Sequence, residues 1–112
     1  MKQVTAIIKP FKLEEVREAL AECGVTGLTV TEVKGYGQPR GPTGERKRGE
    51  FCVDFVPKTK LEIVVTEEKL EEALHAIMAA ARTGRFSDGK IFVSPVVGVV
   101  RIRTSERMAV AV

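Results

Sequence analysis

An α+β fold, two helices packed on one face of an antiparallel sheet, is what the sequence predicts, and three observations carry the prediction. Apolar residues recur at helical spacing in two separate stretches, Leu13, Val16, Leu20 and Cys23, then Leu70, Ala73, Leu74, Ile77, Met78 and Ala81. Strand-like alternation appears at Val4, Ala6 and Ile8 and again at Leu61, Ile63 and Val65. Between them lies a polar, glycine- and proline-punctuated segment from Gly35 to Asp54.

Taken in order, Gln3 to Lys9 reads as a strand that stops at Pro10. The helix that follows keeps Glu14, Glu15, Arg17, Glu18 and Glu22 opposite its apolar stripe, and Gly24 supplies its stop. Burying each leucine of that stripe stabilises by about 1.5–3 kcal/mol, so the stripe must dock on a sheet. Leu28 to Lys34, rich in β-branched residues, is a second strand. The glycine-rich segment exceeds the roughly 12–15 residues that compact domains tolerate without structure, so a functional or disordered, mobile loop is expected over about 36–54. Phe55 to Thr66 returns to strand character, Thr66 with Glu67 and Glu68 opens the second helix, and Thr83 to Lys90 is a loop. Ile91 to Val93 and Val97 to Arg103 read as strands interrupted by Ser94-Pro95. The order strand, helix, strand, strand, helix, strand is the ferredoxin-like βαββαβ arrangement, with residues 1–112 as one domain. It leaves one sheet face uncovered, and the apolar content of that face predicts that neighbouring subunits cover it in a closed homo-oligomer.

Composition narrows the function. A chain of 112 residues buries roughly two-thirds of its unfolded surface, enough for a core without staples. A net charge of +3 comes from 18 basic and 15 acidic residues interspersed along the sequence, too mild an excess to imply nucleic acid, while small anions remain plausible partners. Cys23 and Cys52 form no disulfide framework, and no His/Cys cluster offers metal ligands. The N-terminus lacks a signal-peptide core and no stretch approaches the ~18 apolar residues of a membrane span, so a cytoplasmic protein is expected.

Three segments could carry chemistry. Gly84 to Lys90 contains Gly-x-x-x-x-Gly-Lys, but Ile91 replaces the hydroxyl that would hold Mg²⁺ in a P-loop, and the loop leaves a helix and enters a strand rather than the reverse. What remains is glycines, amide donors and a lysine able to meet phosphate, against an ordinary helix-to-strand turn. In Arg101-Ile102-Arg103, strand alternation would send both guanidinium groups to one face about 6–7 Å apart, suited to successive phosphates, against a solvated edge. The long loop, with Arg40, Arg46, Lys47, Arg48, Lys58 and Lys60 in and after it, is a docking element or a solvated insertion. Arg48 to Phe55 matches the ends of an RNA-recognition strand, but Glu50 and Cys52 stand where stacking aromatics are needed, so RNA binding is discounted. An acylphosphatase-like enzyme needs an Asn, which the chain lacks, and His75 on a helix flank has no nucleophile partner, so no catalytic residue is assigned.

Ala6 to Leu13, Val16 to Leu20, Thr31 to Gly37, Asp88 to Phe92 and Arg101 to Thr104 together resemble the PII nitrogen-regulatory signalling proteins, across essentially the whole chain. The resemblance implies a non-enzymatic homotrimer of ferredoxin-like subunits with ATP or ADP, the ATP with Mg²⁺, in clefts between neighbours. It places phosphates at Ser87, Asp88, Gly89 and Lys90 with Arg101 and Arg103 from the adjacent subunit, and base and ribose near Ile7, Thr29, Gly35, Gly37 and Val64. A target protein, a membrane transporter or an enzyme of nitrogen metabolism, would meet a loop tip carrying Arg46, Lys47, Arg48 and Phe51. Lys47 falls where relatives plug an ammonium channel.

The departures from the family pattern cluster in the same region. Relatives that sense 2-oxoglutarate use a Gln where this chain has Pro39, together with a lysine matching Lys58; Gln38 is adjacent but starts from another backbone direction. Weak or absent 2-oxoglutarate binding is therefore expected. Phe51 replaces the uridylylated Tyr and Gly49 the phosphorylated Ser of other members, so control by those modifications is not expected. Ser87 stands for a usual Gly. The losses also leave open a PII-like sensor of another small anion or metabolite outside nitrogen regulation.

Overall fold

The computed structural model describes residues 1–37 and 55–112. Strand β1 (Lys2–Ile8) leads through a 3-10 turn (Pro10–Lys12) into helix α1 (Leu13–Glu22). Strands β2 (Thr29–Gly35) and β3 (Val56–Val65) precede helix α2 (Glu67–Ala81), and strand β4 (Lys90–Pro95) is followed by a short 3-10 helix (Met108–Ala111). The sheet order is β2-β3-β1-β4 with every pairing antiparallel, which is the predicted ferredoxin-like fold.

Residues paired across the ladder share a face, so the register sorts the side chains. Val4, Ala6 and Ile8 of β1 and Leu61, Ile63 and Val65 of β3 face the helices and are buried. Against them pack Val16 and Leu20 of α1 and Ala73, Ile77 and Ala81 of α2, the centres of the two predicted stripes. Met78, at the margin of its stripe, is 40% exposed. Helix α1 stops as expected at Gly24, whose φ of +87° a side chain would resist. There the amides of Gly24 and Val25 donate to the carbonyls of Ala21 and Leu20, and Val25 packs into the core.

The last expected strand is absent. β4 continues through Ser94 and Pro95, which is tolerated because among the described residues β4 is an edge strand paired with β1 alone. Val97 to Arg103 pairs instead with the residues just after it: Met108 N donates to Val99 O at 2.9 Å, Arg101 N to Glu106 O at 2.8 Å, and Val100 bridges Arg107. Ser105, at a φ of 64°, and Met108, at 60°, turn the chain. The β-branched residues were read correctly as extended, but their partner is local, so Arg101 opens a turn that contains Arg103, and the two do not alternate along a strand.

Glu14, Glu15, Glu18, Glu22, Glu67, Glu68, Glu71 and Glu72 are exposed on the two helices, where Arg17, Lys12 and Lys69 pair with Glu14, Glu15 and Glu72, while the sheet face away from them and its connecting loop carry Lys58, Lys60, Arg85 and Lys90 beside Glu62. That open face mixes Ile7, Val33, Val64 and Phe92 with Thr5, Thr29, Thr31 and Glu62, and is less apolar than expected. His75 lies exposed on α2, 4.0 Å from Glu71, as a helix-edge histidine should.

Candidate functional site

The loop between α2 and β4 is built around one carboxylate. Asp88 Oδ2 accepts the amides of Thr83 and Gly84, each at 2.9 Å, while Oδ1 accepts the Thr83 hydroxyl and pairs with the Lys9 ammonium at 3.3 Å. Lys9 also donates to Thr83 Oγ1 at 3.1 Å, and the same oxygen accepts the Arg85 amide at 3.1 Å. The Thr83 hydrogen bonds above all, then its amide, hold the Asp88 carboxyl well below the usual carboxylate range against the opposing effect of burial, so it is ionised at neutral pH. Gly84, Ser87 and Gly89 take positive φ of 82°, 66° and 108°. At Gly89 no other residue fits: a Cβ would lie 1.7 Å from the carbonyl oxygen of Ile7. Ser87, standing in left-handed backbone, occupies a conformation that glycine would adopt without strain.

Lys58, buried on β3, donates to the carbonyl of Ser87. Burial first, and the nearby Lys9 second, push its ammonium below the usual lysine value, with Asp88 acting in the other direction. Its stem passes over Gly35, where a Cβ would approach Lys58 Cγ to 3.1 Å, so the glycine leaves the lysine its path. The ring centroids of Tyr36 and Phe55 lie 5.6 Å apart where the chain leaves β2 and enters β3. The end of β1, the start of β4, the end of β2 and the start of β3 therefore converge. Ile7, Gly35, Gly37, Lys58, Ser87, Asp88, Gly89 and Lys90 gather at this end of the open face, with Ile7 opposite Lys90 in register. A cavity of about 370 Å³ beside the loop is lined by Ile7, Ile77, Met78, Asp88, Gly89 and Lys90.

The other expected residues sit at the far end. Thr29 lies opposite Glu62, and with Val64, Gln3 and Gly27 they line a second hollow of about 450 Å³, in which Gln3 donates to Glu62 at 2.8 Å. Val64 pairs with Gln3, four residues along β1 from Ile7, which separates the two groups by about 13 Å within one chain. The turn of Arg101 and Arg103 belongs to this far end too: Val99 and the C-terminal residues close a hollow with Val64, Val65 and Thr66. Arg101 rests 3.6 Å from Glu106 and reaches toward the Val110 carbonyl, while Arg103 is exposed. The paired strand-borne guanidinium groups are thus replaced by two arginines on a turn, at the opposite end of the sheet from Lys90. Gln38, Pro39, Arg40, Arg46, Lys47, Arg48, Gly49, Phe51 and Cys52 lie outside the described residues.

Sequence reasoning missed Lys9, Thr83 and Glu62. The hydroxyl of Thr83 five residues before a carboxylate, in a loop full of glycine, was the available signal for Thr83, while nothing local pointed to Lys9. Among the described residues no cluster of His, Cys, Asp or Glu offers a metal site, and no helix is long and apolar enough to cross a membrane.

Comparison with known proteins adds to the geometry. A family model described as "Nitrogen regulatory protein P-II" matches residues 1–106. The chain is 55% identical over 106 residues to the nitrogen regulatory protein P-II of Pasteurella multocida (strain Pm70), covering 95% of each chain. It is 56% identical over 107 residues to that of Azospirillum brasilense, covering 96% of each. With nitrogen regulatory protein P-II 1 of Escherichia coli (strain K12) it shares 55% identity over 106 residues and 95% of each chain.

Proposed function

The chain belongs to the nitrogen regulatory protein P-II family, and from that premise we propose that it is a cytoplasmic regulator and not a catalyst, a homotrimer that binds ATP or ADP between subunits. One observation carries the reading: the residues expected to meet a nucleotide fall into two groups at opposite ends of one open face. Ser87 to Lys90 with Ile7 and Gly35 form a phosphate end, and Thr29, Val64 and the arginine turn form a base end with spare cations. A neighbour docked head to tail would bring the phosphate end of one chain against the base end of the next, and a repeated head-to-tail contact closes into a ring. Val97 and Ile102, 95% and 98% exposed on the C-terminal hairpin, are apolar groups that such a contact would cover.

The loop at 36–54 leaves the sheet at the phosphate end, and Lys58, close to its exit, already holds the Ser87 carbonyl. A nucleotide whose phosphates meet Lys58 and Ser87 unequally in two loop arrangements shifts their populations, and that difference in affinity is the signal. Arg46, Lys47, Arg48 and Phe51 would then dock on or release the target protein, a transporter or an enzyme of nitrogen metabolism. Mg²⁺ would accompany ATP as a counter-ion to its phosphates.

Titration calorimetry with ADP and ATP, paired with sedimentation, tests this. The expected result is one nucleotide per subunit at roughly micromolar Kd on a three-subunit particle. Because Pro39 replaces the Gln, 2-oxoglutarate added with Mg-ATP should give no further heat. A lone subunit that binds neither nucleotide would overturn the reading. A second reading rests on the buried Lys58 ammonium, for which no carboxylate partner is present among the described residues. A sensor of another small anion would use it, and in the same titration would respond to that anion without nucleotide.

A further inference from the structure

Asp88 sits within the stretch that would receive phosphate, where a free carboxylate should repel the ligand. Its two oxygens are instead fully engaged, by the amides of Thr83 and Gly84, the Thr83 hydroxyl and Lys9. Lys9 comes from elsewhere in the fold, the residue just after β1, and Pro10 restricts the chain immediately after it. We propose that Lys9 and Asp88 are positioning residues: together with the Thr83 hydroxyl they clamp the start of the loop to the end of β1, and so present Ser87, Gly89 and Lys90 to an anion that neither side chain touches. The inference rests on the nucleotide reading above.

Three features support it. The loop contains three residues at positive φ, a path that persists only where its surroundings fix it. The clamp is linked through Thr83 Oγ1, which accepts from Lys9 and Arg85 and donates to Asp88, so removing any member unsettles the others. Gly89 lies flat against the Ile7 carbonyl, two residues before Lys9, so a shift at Lys9 moves the surface on which the loop rests.

Asp88→Asn distinguishes positioning from simple electrostatics by sign. It deletes a negative charge next to an anionic ligand, so charge alone would tighten ADP binding, whereas loosening the clamp weakens it. Calorimetry with ADP on Lys9→Met, Asp88→Asn and the double variant, with thermal melting in parallel, is the test. Each single variant is expected to raise the ADP Kd about tenfold. The double variant should lose little more, because both changes break one unit. Unchanged or tighter ADP binding in Asp88→Asn, or losses that add in the double variant, overturn the proposal. If Lys9→Met does not fold, Thr83→Val, which removes only the bridging hydroxyl, is read by the same criteria. Failure of the unsubstituted protein to bind ADP overturns the nucleotide reading and this one with it. Binding that the variants leave intact overturns the positioning role alone.

Discussion

Alanine at Gly89 is expected to destabilise the fold by about 3 kcal/mol and to abolish nucleotide binding. The added carbon would meet the Ile7 carbonyl oxygen at 1.7 Å, backbone against backbone, with no flexible side chain to give way. The φ of 108° adds a penalty that any L-residue with a side chain incurs. Either β4 slips away from β1, breaking the opposition of Ile7 and Lys90, or the loop swings outward and takes Ser87 and Lys90 with it. Urea unfolding should show a lower midpoint with an unchanged slope, and ADP should give no heat. A loss under about 1 kcal/mol with ADP binding retained would refute this account of the loop.

The second large effect is remote from the site. Leu61 is fully buried at the middle of β3, in register with Ala6 on one side and Val30 on the other, beneath both helices. Leu61→Ala leaves a cavity the packed sheet cannot close, at a cost of about 3–4 kcal/mol. That is a large part of the roughly 5–15 kcal/mol that holds a domain of this size, and corresponds to a fall in Tm of about 15 °C. Differential scanning calorimetry checks it; a fall of only a few degrees would mean that the core lies elsewhere.

The elements these two residues belong to differed in how well the sequence announced them. Leu61, Ile63 and Val65 alternate, Leu13, Val16 and Leu20 recur every three or four residues, and burial against one core produces both patterns directly. The family resemblance rested on several motifs in the right order, and the family model and relatives bear it out. Val97 to Arg103 misled because β-branched residues report an extended backbone and not the identity of its partner, which here is Met108 and its neighbours. The part Lys9 plays in the clamp around Asp88 was invisible because Lys9 and Thr83 are 74 residues apart, and only the docking of α2 beside β1 brings them together.

If the two groups at opposite ends of the open face are halves of one intersubunit site, as proposed above, ligand capture is tied to mass action among the chains. The adenylate would then be a cement joining faces that each offer only part of a grip, and saturation would oppose dissociation of the particle on dilution. The same linkage runs backward, and at protein concentrations low enough for the ring to come apart, apparent affinity for ADP should decline with further dilution. Fluorescence titrations across a hundredfold range of protein would show that drift, whereas a pocket complete within one chain would show none.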